Sequence, residues 1–568
     1  MVSILSIPTG LIFDLSVIII ITTAIAYFLK LVRQPLIIAY VIAGIVLGPL
    51  GFNLFKDMNW INSLSEIGIA FLLFIVGLEL DLNKIKSVGA FSVFGGILQV
   101  LITAATGFFV AIYFGFSQVS AMYIGLALAF SSTMLVVKIL KDREEIDTLH
   151  GRLMIGLLVM QDIIVVFALS MVSTLSFIDY SFVLLALFKV LVFMLAALIA
   201  SKFFLPRIFR FAAKSDELLF LCSLSMCFLF SLLAYKLGFS IAIGSFMAGI
   251  MLGSLPYGID IAGMIGGLKN FFVTIFFVSL GMQLVFIPLS MILILAVLLL
   301  LTIIVKPLII MVLSSLFGYE KRTSFLTSFG LGQISEFSLI MASFGFYTSS
   351  QISPNVFSLI VFMTLISMIL TSYVMDYDSW IYNKLSRYIG MFEKLSLAKK
   401  QLIVKTKKKR ADVILFGCHR MGSVFLKSFR VKNSNVFVVD HNPEIIKMLS
   451  QRGIDCIYGD CTNPEVLRKI DFKNAKLVIS AIPSLELNEF LLSHVKAKKK
   501  KIAFIATQNH LHEALDLYEK GADYVILPHI STSESIFSLI SKMLSNKAMI
   551  KDIRNRHIKH LLSLDVYG

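Results

Sequence analysis

One acidic residue stands in the middle of a long apolar segment of this chain. The stretch LLVMQDIIVVF places Asp162 near the centre of residues 154–171, which are otherwise almost entirely apolar. A helix of about 20 residues crosses the hydrocarbon core of a bilayer, and a carboxylate at its centre costs about 3 kcal/mol to insert. Such residues usually face a bundle interior, where they bind or relay ions. Asp162 is therefore either the acid of an ion site or a buried acid that is neutral or paired with a neighbouring helix.

Three adjacent hydroxyl residues interrupt a second apolar segment. Ser131, Ser132 and Thr133 lie within FSSTMLVV. Hydroxyls and the main-chain carbonyls of an unwound helix can replace water around a monovalent cation, and Asp162 supplies a negative charge that binds a cation or a proton. Small hydroxyl residues also pack helices together, so the triplet alone does not identify a site. Together with Asp162 it predicts a cation site at which a proton competes.

Two further apolar segments carry polar residues that fit this prediction. Lys306 lies in IIVKPLII, and Gln333 and Glu336 follow two glycines in SFGLGQISEFSLI. A buried ammonium requires a partner, and we expect Asp162 or Glu336 to provide it; the alternative is that Lys306 extends to the membrane interface. Polar or glycine-interrupted helices in two corresponding halves are typical of inverted-repeat transporters, which unwind helices at the bilayer midplane.

The composition predicts a polytopic helical scaffold for these residues. Of 568 residues, 58% are hydrophobic and 15% are charged, and the apolar residues form nearly continuous runs up to residue 375. The first run continues into the second without a small-residue cleavage site, so it is predicted to be a membrane helix and not a signal peptide. We predict thirteen spans, at about 10–30, 34–50, 63–80, 90–115, 119–140, 152–173, 181–205, 217–235, 238–254, 270–287, 289–316, 323–347 and 354–375.

The distribution of charge predicts the orientation in the membrane. Loops on one side carry nearly all the loop cations, and those on the other carry only Lys56 and Lys236. The C-terminal part is therefore predicted to be cytoplasmic and the N-terminus outside, in the cytoplasmic (inner) membrane. The net charge of +16 is concentrated in membrane-flanking loops and in residues 376–410, which indicates anionic lipid near this linker and no nucleic acid. The five cysteines show neither zinc-ligand nor disulfide spacing, which fits a reduced compartment.

The C-terminal part has a different pattern. Six short β-branched strands alternate with helix-length segments after Ala411, which is typical of a doubly wound parallel sheet. The predicted fold class is thus a polytopic α-helical membrane protein with inverted repeats and broken helices, followed by an α/β Rossmann-like domain. The predicted domains are a transmembrane domain at 1–375, a basic linker at 376–410, a Rossmann-like domain at 411–530 and a helical tail at 531–568.

The first predicted strand of this domain leads into a glycine-containing loop, FGCHRMG. Gly417 and Gly422 match the dinucleotide fingerprint G-x-G-x-x-G, but His419 replaces the central glycine that lets the main chain approach a pyrophosphate. Asp440 ends the second strand, where an acid takes the ribose hydroxyls, and Asp460 follows the third. The loop therefore predicts a nucleotide site that favours AMP or an adenosine half over an intact NAD-type dinucleotide.

Several motifs, taken together, resemble those of Kef-type potassium-efflux antiporters, within the monovalent cation/proton antiporter superfamily. The similarity extends over nearly the whole chain. The motifs are YVIAGIVLGPLGF (40–52), GLELD (77–81), SSTMLVVKIL (131–140), GLLVMQDI (156–163) and LGQISEFSL (331–339).

The resemblance implies a transport mechanism. Family members have thirteen helices, a dimerisation bundle and a mobile core that moves in an elevator-like way around the acid corresponding to Asp162. Gln161 stands where electrogenic sodium/proton relatives have a second acid, which implies electroneutral exchange and potassium rather than sodium. The residues implied in transport and proton coupling are Asp162, Gln161, Lys306, Glu336 and Gln333.

The C-terminal domain resembles the TrkA-N, or RCK-type, regulatory domains that Kef-type antiporters carry. These domains bind AMP-like or NAD-type nucleotides and pair into a homodimer, and some family members have an ancillary regulatory subunit. Glutathione regulation is not implied, because the stretch 254–269 has one acid, Asp260. The pocket residues implied by the resemblance are Gly417, Cys418, His419, Arg420, Met421, Gly422, Asp440, His441, Asp460 and Cys461.

Three alternative functions differ in testable ways. A sodium/proton antiporter of the same fold would exchange a different ion. A nucleotide-gated potassium channel would need a carbonyl filter such as T-V-G-Y-G, which the sequence lacks. An oxidoreductase would need acid and base residues clustered beyond the nucleotide loop, and the sequence shows none. We therefore predict a K⁺/H⁺ antiporter that is not an enzyme.

Overall fold

The computed structural model of the chain comprises two compact units, Met1–Leu397 and Ala398–Gly568, which are described separately. Residues 390–410 of the predicted linker and most of the seventh predicted span lie outside the described residues. The predicted domain boundaries stay a prediction. The structure describes the chain except residues 1–10, 33, 55–58, 80–89, 144, 147, 174–200, 202–203, 238–240, 320, 349, 390–410, 419, 432–433, 441, 460, 462–463, 473, 499–501, 546–553 and 555–568.

The described part of the first unit is helical. Short π-helical turns at Phe91–Gly95, Leu301–Val305 and Phe344–Thr348 adjoin four of its α-helices. The α-helices are α1 (Leu11–Leu31), α2 (Leu36–Leu47), α3 (Asn59–Glu79), α4 (Gly96–Tyr113), α5 (Gln118–Ala129), α6 (Thr133–Asp142), α7 (Leu149–Ser173), α8 (Leu205–Ala212), α9 (Asp216–Lys236), α10 (Ile241–Gly253), α11 (Gly258–Met282), α12 (Leu289–Leu300), α13 (Lys306–Leu316), α14 (Lys321–Phe329), α15 (Glu336–Ser343), α16 (Pro354–Asp376) and α17 (Asp378–Ile389).

These helices confirm the polytopic architecture. Among the described residues, eight helical segments are long and apolar enough to cross a membrane, and four more apolar helices are shorter. The total of thirteen spans stays a prediction, because residues 181–200 are not described. One predicted boundary is wrong: the tenth span was expected at 270–287, whereas α11 begins at Gly258. Most of the stretch 254–269, predicted to be a loop, is therefore helix.

Close backbone contacts at glycines pack several of these helices. A Cβ on Gly44 in α2 would lie 2.7 Å from the Cα of Gly281 in α11, and a Cβ on Gly249 in α10 would lie 2.9 Å from the Cα of Gly77 in α3. Helices in a membrane gain little from hydrophobic burial, so such small-residue contacts supply the packing.

Two predicted spans are interrupted, as expected for the fold class. The fifth predicted span divides into α5 and α6 with non-helical residues 130–132 between them, and the twelfth divides into α14 and α15 around residues 330–335. Phe130 adopts an extended conformation with ψ 147°, and Ser335 with ψ 154°. Each interruption frees main-chain carbonyls and N–H groups that a continuous helix would pair.

The second unit contains the predicted doubly wound sheet. Six parallel strands lie in the order β3-β2-β1-β4-β5-β6, so the order reverses between β1 and β4. The elements are β1 (Val413–Phe416), α18 (Arg420–Val431), β2 (Val436–Asp440), α19 (Pro443–Gln451), β3 (Cys456–Tyr458), α20 (Pro464–Lys469), β4 (Leu477–Ser480), α21 (Leu485–Lys498), β5 (Ala503–Thr507), α22 (Leu511–Glu519), β6 (Tyr524–Ile526) and α23 (Pro528–Ser545).

Candidate functional site

The two interruptions create new helix N-termini inside the membrane unit. Ser132 caps α6, because its hydroxyl accepts a hydrogen bond from the N–H of Leu135 at 3.3 Å. Ser335 caps α15 in the same way, accepting from the N–H of Phe337 at 3.1 Å. A helix N-terminus carries a partial positive charge, so both half-helices favour negative groups at these ends.

Side chains connect the two interruptions directly. The hydroxyl of Ser131 donates to the carbonyl of Leu331 at 2.9 Å. The amide of Gln333 lies 3.5 Å from the carbonyl of Ser132. Both serines and Gln333 are at most 1% exposed. The sequence-predicted residues of two distant segments therefore meet at one buried place.

Lys306 joins the same two segments with a single ammonium group. Its Nζ donates to the carbonyl of Phe130 at 2.8 Å and to the carbonyl of Gln333 at 2.7 Å, and the residue is fully buried. The expectation that Asp162 or Glu336 pairs with it is wrong, because both of its hydrogen bonds go to main-chain carbonyls. The alternative of an interfacial lysine is also wrong. The carbonyls freed by the interruptions provide the partners instead.

Asp162 lies beside the first interruption. The residue is 6% exposed, and the hydroxyl of Thr133 lies 3.1 and 3.0 Å from its two carboxylate oxygens. Thr133 is the first residue of α6, so the acid stands next to a helix N-terminus. The adjacent Gln161 accepts from the N–H of Ser131 at 2.8 Å. The acid and the hydroxyl triplet thus lie next to each other, and their role as a cation site stays a prediction.

Glu336 lies at the other interruption. It begins α15, is 2% exposed, and its carboxylate contacts the hydroxyl of Ser132 and the N–H of Met134. Its Oε2, like the Oε1 of Gln333, has no hydrogen-bond partner among the described residues. A buried oxygen without a donor is a candidate ligand for a cation or a proton.

Three polar residues of this region were missed by the sequence analysis. Gln99 donates to the carbonyl of Ala129 at 3.0 Å, and Ser338 donates to the carbonyl of Ala127 at 2.9 Å. Ser367 accepts from the N–H of Ile334 at 3.1 Å. All three satisfy main-chain groups at or near the interruptions. Gln99 stands in an apolar run and could have been found by the signal that identified Asp162.

The glycine loop of the second unit follows β1. Gly417 has φ +80°, and a Cβ on Gly422 would lie 2.0 Å from the carbonyl oxygen of Gly417, so the loop closes tightly onto α18. Asp440 accepts from the N–H of Cys418 at 2.6 Å and from the N–H of Asn442 at 2.7 Å. The carboxylate at the end of β2 therefore holds the loop in shape.

The remaining predicted pocket residues are only partly described. Met421 is half-buried and Cys461 is buried beside β3. His419, His441 and Asp460 lie outside the described residues, as does the side chain of Arg420.

The thiol of Cys418 adjoins this loop. Burial, with the nearby Asp440 charge, raises its pKa to about 12. The thiol is therefore protonated at neutral pH, which makes it a poor nucleophile.

Comparison with known families identifies both parts of the chain. A family profile described as "Sodium/hydrogen exchanger, transmembrane" matches residues 17–376. The chain belongs to this exchanger family. A second profile, the TrkA-N domain, matches residues 413–528. The family is one of membrane transporters, so the chain is a transporter and not an enzyme, and the resemblance inferred from the motifs is confirmed.

Curated relatives of the exchanger fall into two groups by coverage. K(+) efflux antiporter 5 of Arabidopsis thaliana is 30% identical, over 60% of this chain and 62% of its own length. The putative cation/proton antiporter YbaL of Escherichia coli is 27% identical over 90% of this chain and 93% of its own. The glutathione-regulated potassium-efflux system protein KefC of Salmonella arizonae is 27% identical over 88% of this chain and 79% of its own length. The chain thus spans less than two thirds of the plant antiporter and most of the two bacterial proteins.

Solved structures show weaker likenesses. The sodium/proton antiporter MjNhaP1 from Methanocaldococcus jannaschii is 15% identical, with a TM-score of 0.47. The match covers 67% of this chain and 98% of the MjNhaP1 chain. The TrkA-N domain of YbaL from Escherichia coli is 21% identical, covers 23% of this chain and 98% of its own, and has a TM-score of 0.23.

Proposed function

We propose that the exchanger is a monovalent cation/proton antiporter that carries out K⁺/H⁺ exchange, with K⁺ leaving the cell. The observation that supports this most strongly is the burial of the Asp162 carboxylate beside the interrupted helix, where the Thr133 hydroxyl contacts both of its oxygens. The potassium assignment is supported by the names of the plant relative and of KefC, both of which are potassium-efflux proteins.

Competition at Asp162 couples the two ions. The ionised carboxylate, with oxygens from Ser131, Ser132 and Thr133, holds a dehydrated cation; protonation removes the charge and releases it. Only a loaded site crosses the membrane, by an elevator-like movement of the core that carries the interrupted helices. Because the cation and the proton neutralise the same carboxylate in turn, one is exchanged for the other.

The neighbouring residues keep this site in shape. Gln161 places a neutral amide beside the acid, which makes the exchange electroneutral. Lys306 and Gln333 connect the two interruptions through main-chain carbonyls, and Glu336 places its carboxylate at the N-terminus of α6. These four residues act in coupling by fixing the geometry around Asp162.

The TrkA-N domain regulates the transporter by binding AMP or a related adenine nucleotide. The loop from Gly417 to Gly422 and the N-terminus of α18 would hold the phosphate. Asp440 ends β2 beside this loop, at the position where an acid takes ribose hydroxyls in doubly wound sheets. The buried hydroxyls of Ser480 and Thr507, at the same edge of the sheet, have no hydrogen-bond partner among the described residues, which supports a polar ligand there.

The exchanger is a homodimer in the inner membrane, with its N-terminus outside and its TrkA-N domain in the cytoplasm. Anionic lipids bind near the basic residues of 376–410, and the regulatory domain offers a surface for an ancillary subunit. The positive residues in the predicted cytoplasmic loops support this orientation.

Sodium is the second candidate substrate. The matching family is described as a sodium/hydrogen exchanger, which favours Na⁺/H⁺ exchange by the same site. Potassium and sodium sites differ by small changes in cavity size and ligand number, so the ion must be identified by flux.

The test is proton flux in proteoliposomes that contain the purified full chain. Opposing gradients of K⁺, Na⁺ and Rb⁺ are applied in turn, and we expect K⁺ and Rb⁺ to drive proton movement. Asp162→Asn should abolish it, whereas Asp216→Asn, at the exposed start of α9, should leave it unchanged. Proton movement driven by Na⁺ and not by K⁺ would identify the protein as a Na⁺/H⁺ antiporter. Unchanged exchange in Asp162→Asn would show that Asp162 is not the ion-binding acid.

A further inference from the structure

We propose that Gln99 is a positioning residue for Gln161 that also determines which residue type position 161 accepts. Its amide orients that of Gln161 and requires an uncharged hydrogen-bond donor there, so that no second carboxylate titrates beside Asp162. This inference rests on the proposed exchange function, because it concerns the charge carried in each cycle.

A chain of hydrogen bonds runs from α4 through α7 to the first interruption. Gln99 donates through Nε2 to the carbonyl of Ala129 at 3.0 Å and to the hydroxyl of Thr103 at 3.2 Å. The Oε1 of Gln99 accepts from Nε2 of Gln161 at 2.7 Å, and Oε1 of Gln161 accepts from the N–H of Ser131 at 2.8 Å. Both glutamines are 1% exposed. The chain therefore ends on main-chain groups on both sides of Phe130.

The two main-chain ends fix the direction of every bond in this chain. The carbonyl of Ala129 can only accept, so Gln99 must turn its NH₂ group toward it. The N–H of Ser131 can only donate, so Gln161 must turn its oxygen toward it. The remaining contact joins the oxygen of Gln99 to the NH₂ of Gln161. If either amide were rotated by 180°, two donors would face each other at one contact and two acceptors at another.

Helix packing holds the two glutamines in register. A Cβ on Gly96, one turn before Gln99, would lie 3.1 Å from the Cβ of Met160, which precedes Gln161. The absence of a side chain at Gly96 thus lets α4 and α7 approach at the level of the two amides. A short contact between buried amides in a close-packed place leaves no room for water to replace either partner.

A carboxylate at position 161 would conflict with this arrangement. One of its oxygens could accept from Ser131, but the other would face the Oε1 of Gln99, acceptor against acceptor. The conflict disappears if the introduced carboxyl stays protonated and donates its O–H to Gln99. Gln99 therefore holds position 161 neutral even when an acid is placed there.

The first experiment measures the positioning role in proteoliposomes. Gln99→Met keeps a similar volume and removes both donors and the acceptor. We expect the KM for K⁺ to rise about tenfold, because one hydrogen bond that orients Gln161 is lost. The maximal rate should stay within about twofold of the wild-type rate. A residue needed only for folding would lower the maximal rate through lost protein and leave the KM unchanged. Gln34→Met, at a buried glutamine between α1 and α2, is the matched control and should leave the KM unchanged.

The second experiment measures net charge movement, and its first variant, Gln161→Glu, keeps Gln99 and so does not depend on the folding of a Gln99 variant. Gln161→Glu in the presence of Gln99 should exchange cations without net charge movement, because the introduced carboxyl stays protonated. Gln99→Met combined with Gln161→Glu should move net charge, because the acceptor that holds that proton is gone. Net charge movement by Gln161→Glu alone, or an unchanged KM in Gln99→Met, would overturn the inference. Absence of exchange by the wild type would instead overturn the proposed function.

Discussion

At the scale of single residues, the proposed ion site depends on side chains that satisfy main-chain groups freed by broken helices. Lys306 supplies two hydrogen bonds to carbonyls, Ser131 supplies one, and Ser367 accepts from an N–H of the second interruption. A buried main-chain group without a partner is destabilising by about 1–3 kcal/mol. These side chains therefore make an unwound backbone stable inside the membrane, where water is absent.

Lys306 provides the sharpest prediction at this scale. Lys306→Met removes both donors and leaves the carbonyls of Phe130 and Gln333 without them, so we expect the protein in detergent to lose about 2–4 kcal/mol of stability and most of its exchange. Lys306→Gln keeps an NH₂ donor and should be intermediate. Lys236→Met, at the exposed end of α9, is the control. Thermal unfolding followed by fluorescence measures the stability of each variant. A Lys306→Met protein as stable as the control would show that Lys306 is not needed to satisfy the two carbonyls.

Polar residues in apolar runs were the part of the site that the sequence could predict. Asp162, Gln333 and Glu336 stand out because the membrane selects against such residues. The partners of Lys306 could not be predicted, since the carbonyls it binds belong to apolar residues such as Phe130 and become available only when the helix unwinds. Gln99 shows the same signal as Asp162 and was missed because its role depends on contacts with two other helices, α5 and α7.

At the scale of elements, glycines set how closely helices approach. The α2–α11 and α3–α10 contacts bring backbones together at Gly44 with Gly281 and at Gly77 with Gly249. The sequence predicted most helices from their apolar runs, but it missed the first twelve residues of α11. That stretch contains several glycines and Asp260, which resemble a loop in sequence although the helix there is well formed.

A pair of substitutions within α11 tests this packing. A Cβ on Gly281 would lie 2.2 Å from the carbonyl of Val41, so Gly281→Ala should destabilise the protein by about 1–3 kcal/mol. A Cβ on Gly263 meets nothing within 4 Å, so Gly263→Ala should be neutral or stabilise by up to about 1 kcal/mol through helix propensity. Thermal unfolding of both variants measures the difference. Equal changes in the unfolding temperature of the two variants would show that the close approach of α2 to α11 does not depend on the absence of a side chain at Gly281.

At the scale of the whole molecule, each unit contains an acidic or basic side chain that fixes a helix end or a loop. In the membrane unit, Arg143 at the end of α6 contacts Asp378 at 2.9 Å and Asp376 at 3.3 Å, which ties the interrupted helix to α16 and α17. In the second unit, Asp440 holds the glycine loop. The sequence predicted the parallel sheet of this unit correctly, because its buried strands are short and β-branched.

The role of Asp440 in the nucleotide site can be measured on the full chain. Asp440→Asn replaces an acceptor of two main-chain N–H groups with an amide that can satisfy them only in part, so we expect AMP to bind at least tenfold more weakly. Asp412→Asn, at the half-exposed residue before β1, should bind AMP normally. Isothermal titration of the purified protein provides the measurement. Wild-type affinity in Asp440→Asn would place the nucleotide elsewhere.

Competition between K⁺ and H⁺ for Asp162 can be measured from initial exchange rates over a matrix of K⁺ concentrations and pH values. In proteoliposomes in which pH is varied only on the side that holds K⁺ and is kept constant on the other side, we expect one maximal rate at every pH and a KM for K⁺ that rises linearly with the proton concentration on the K⁺ side. A KM that stays constant while the maximal rate falls with acidification would contradict it, because the proton would then act away from the cation site.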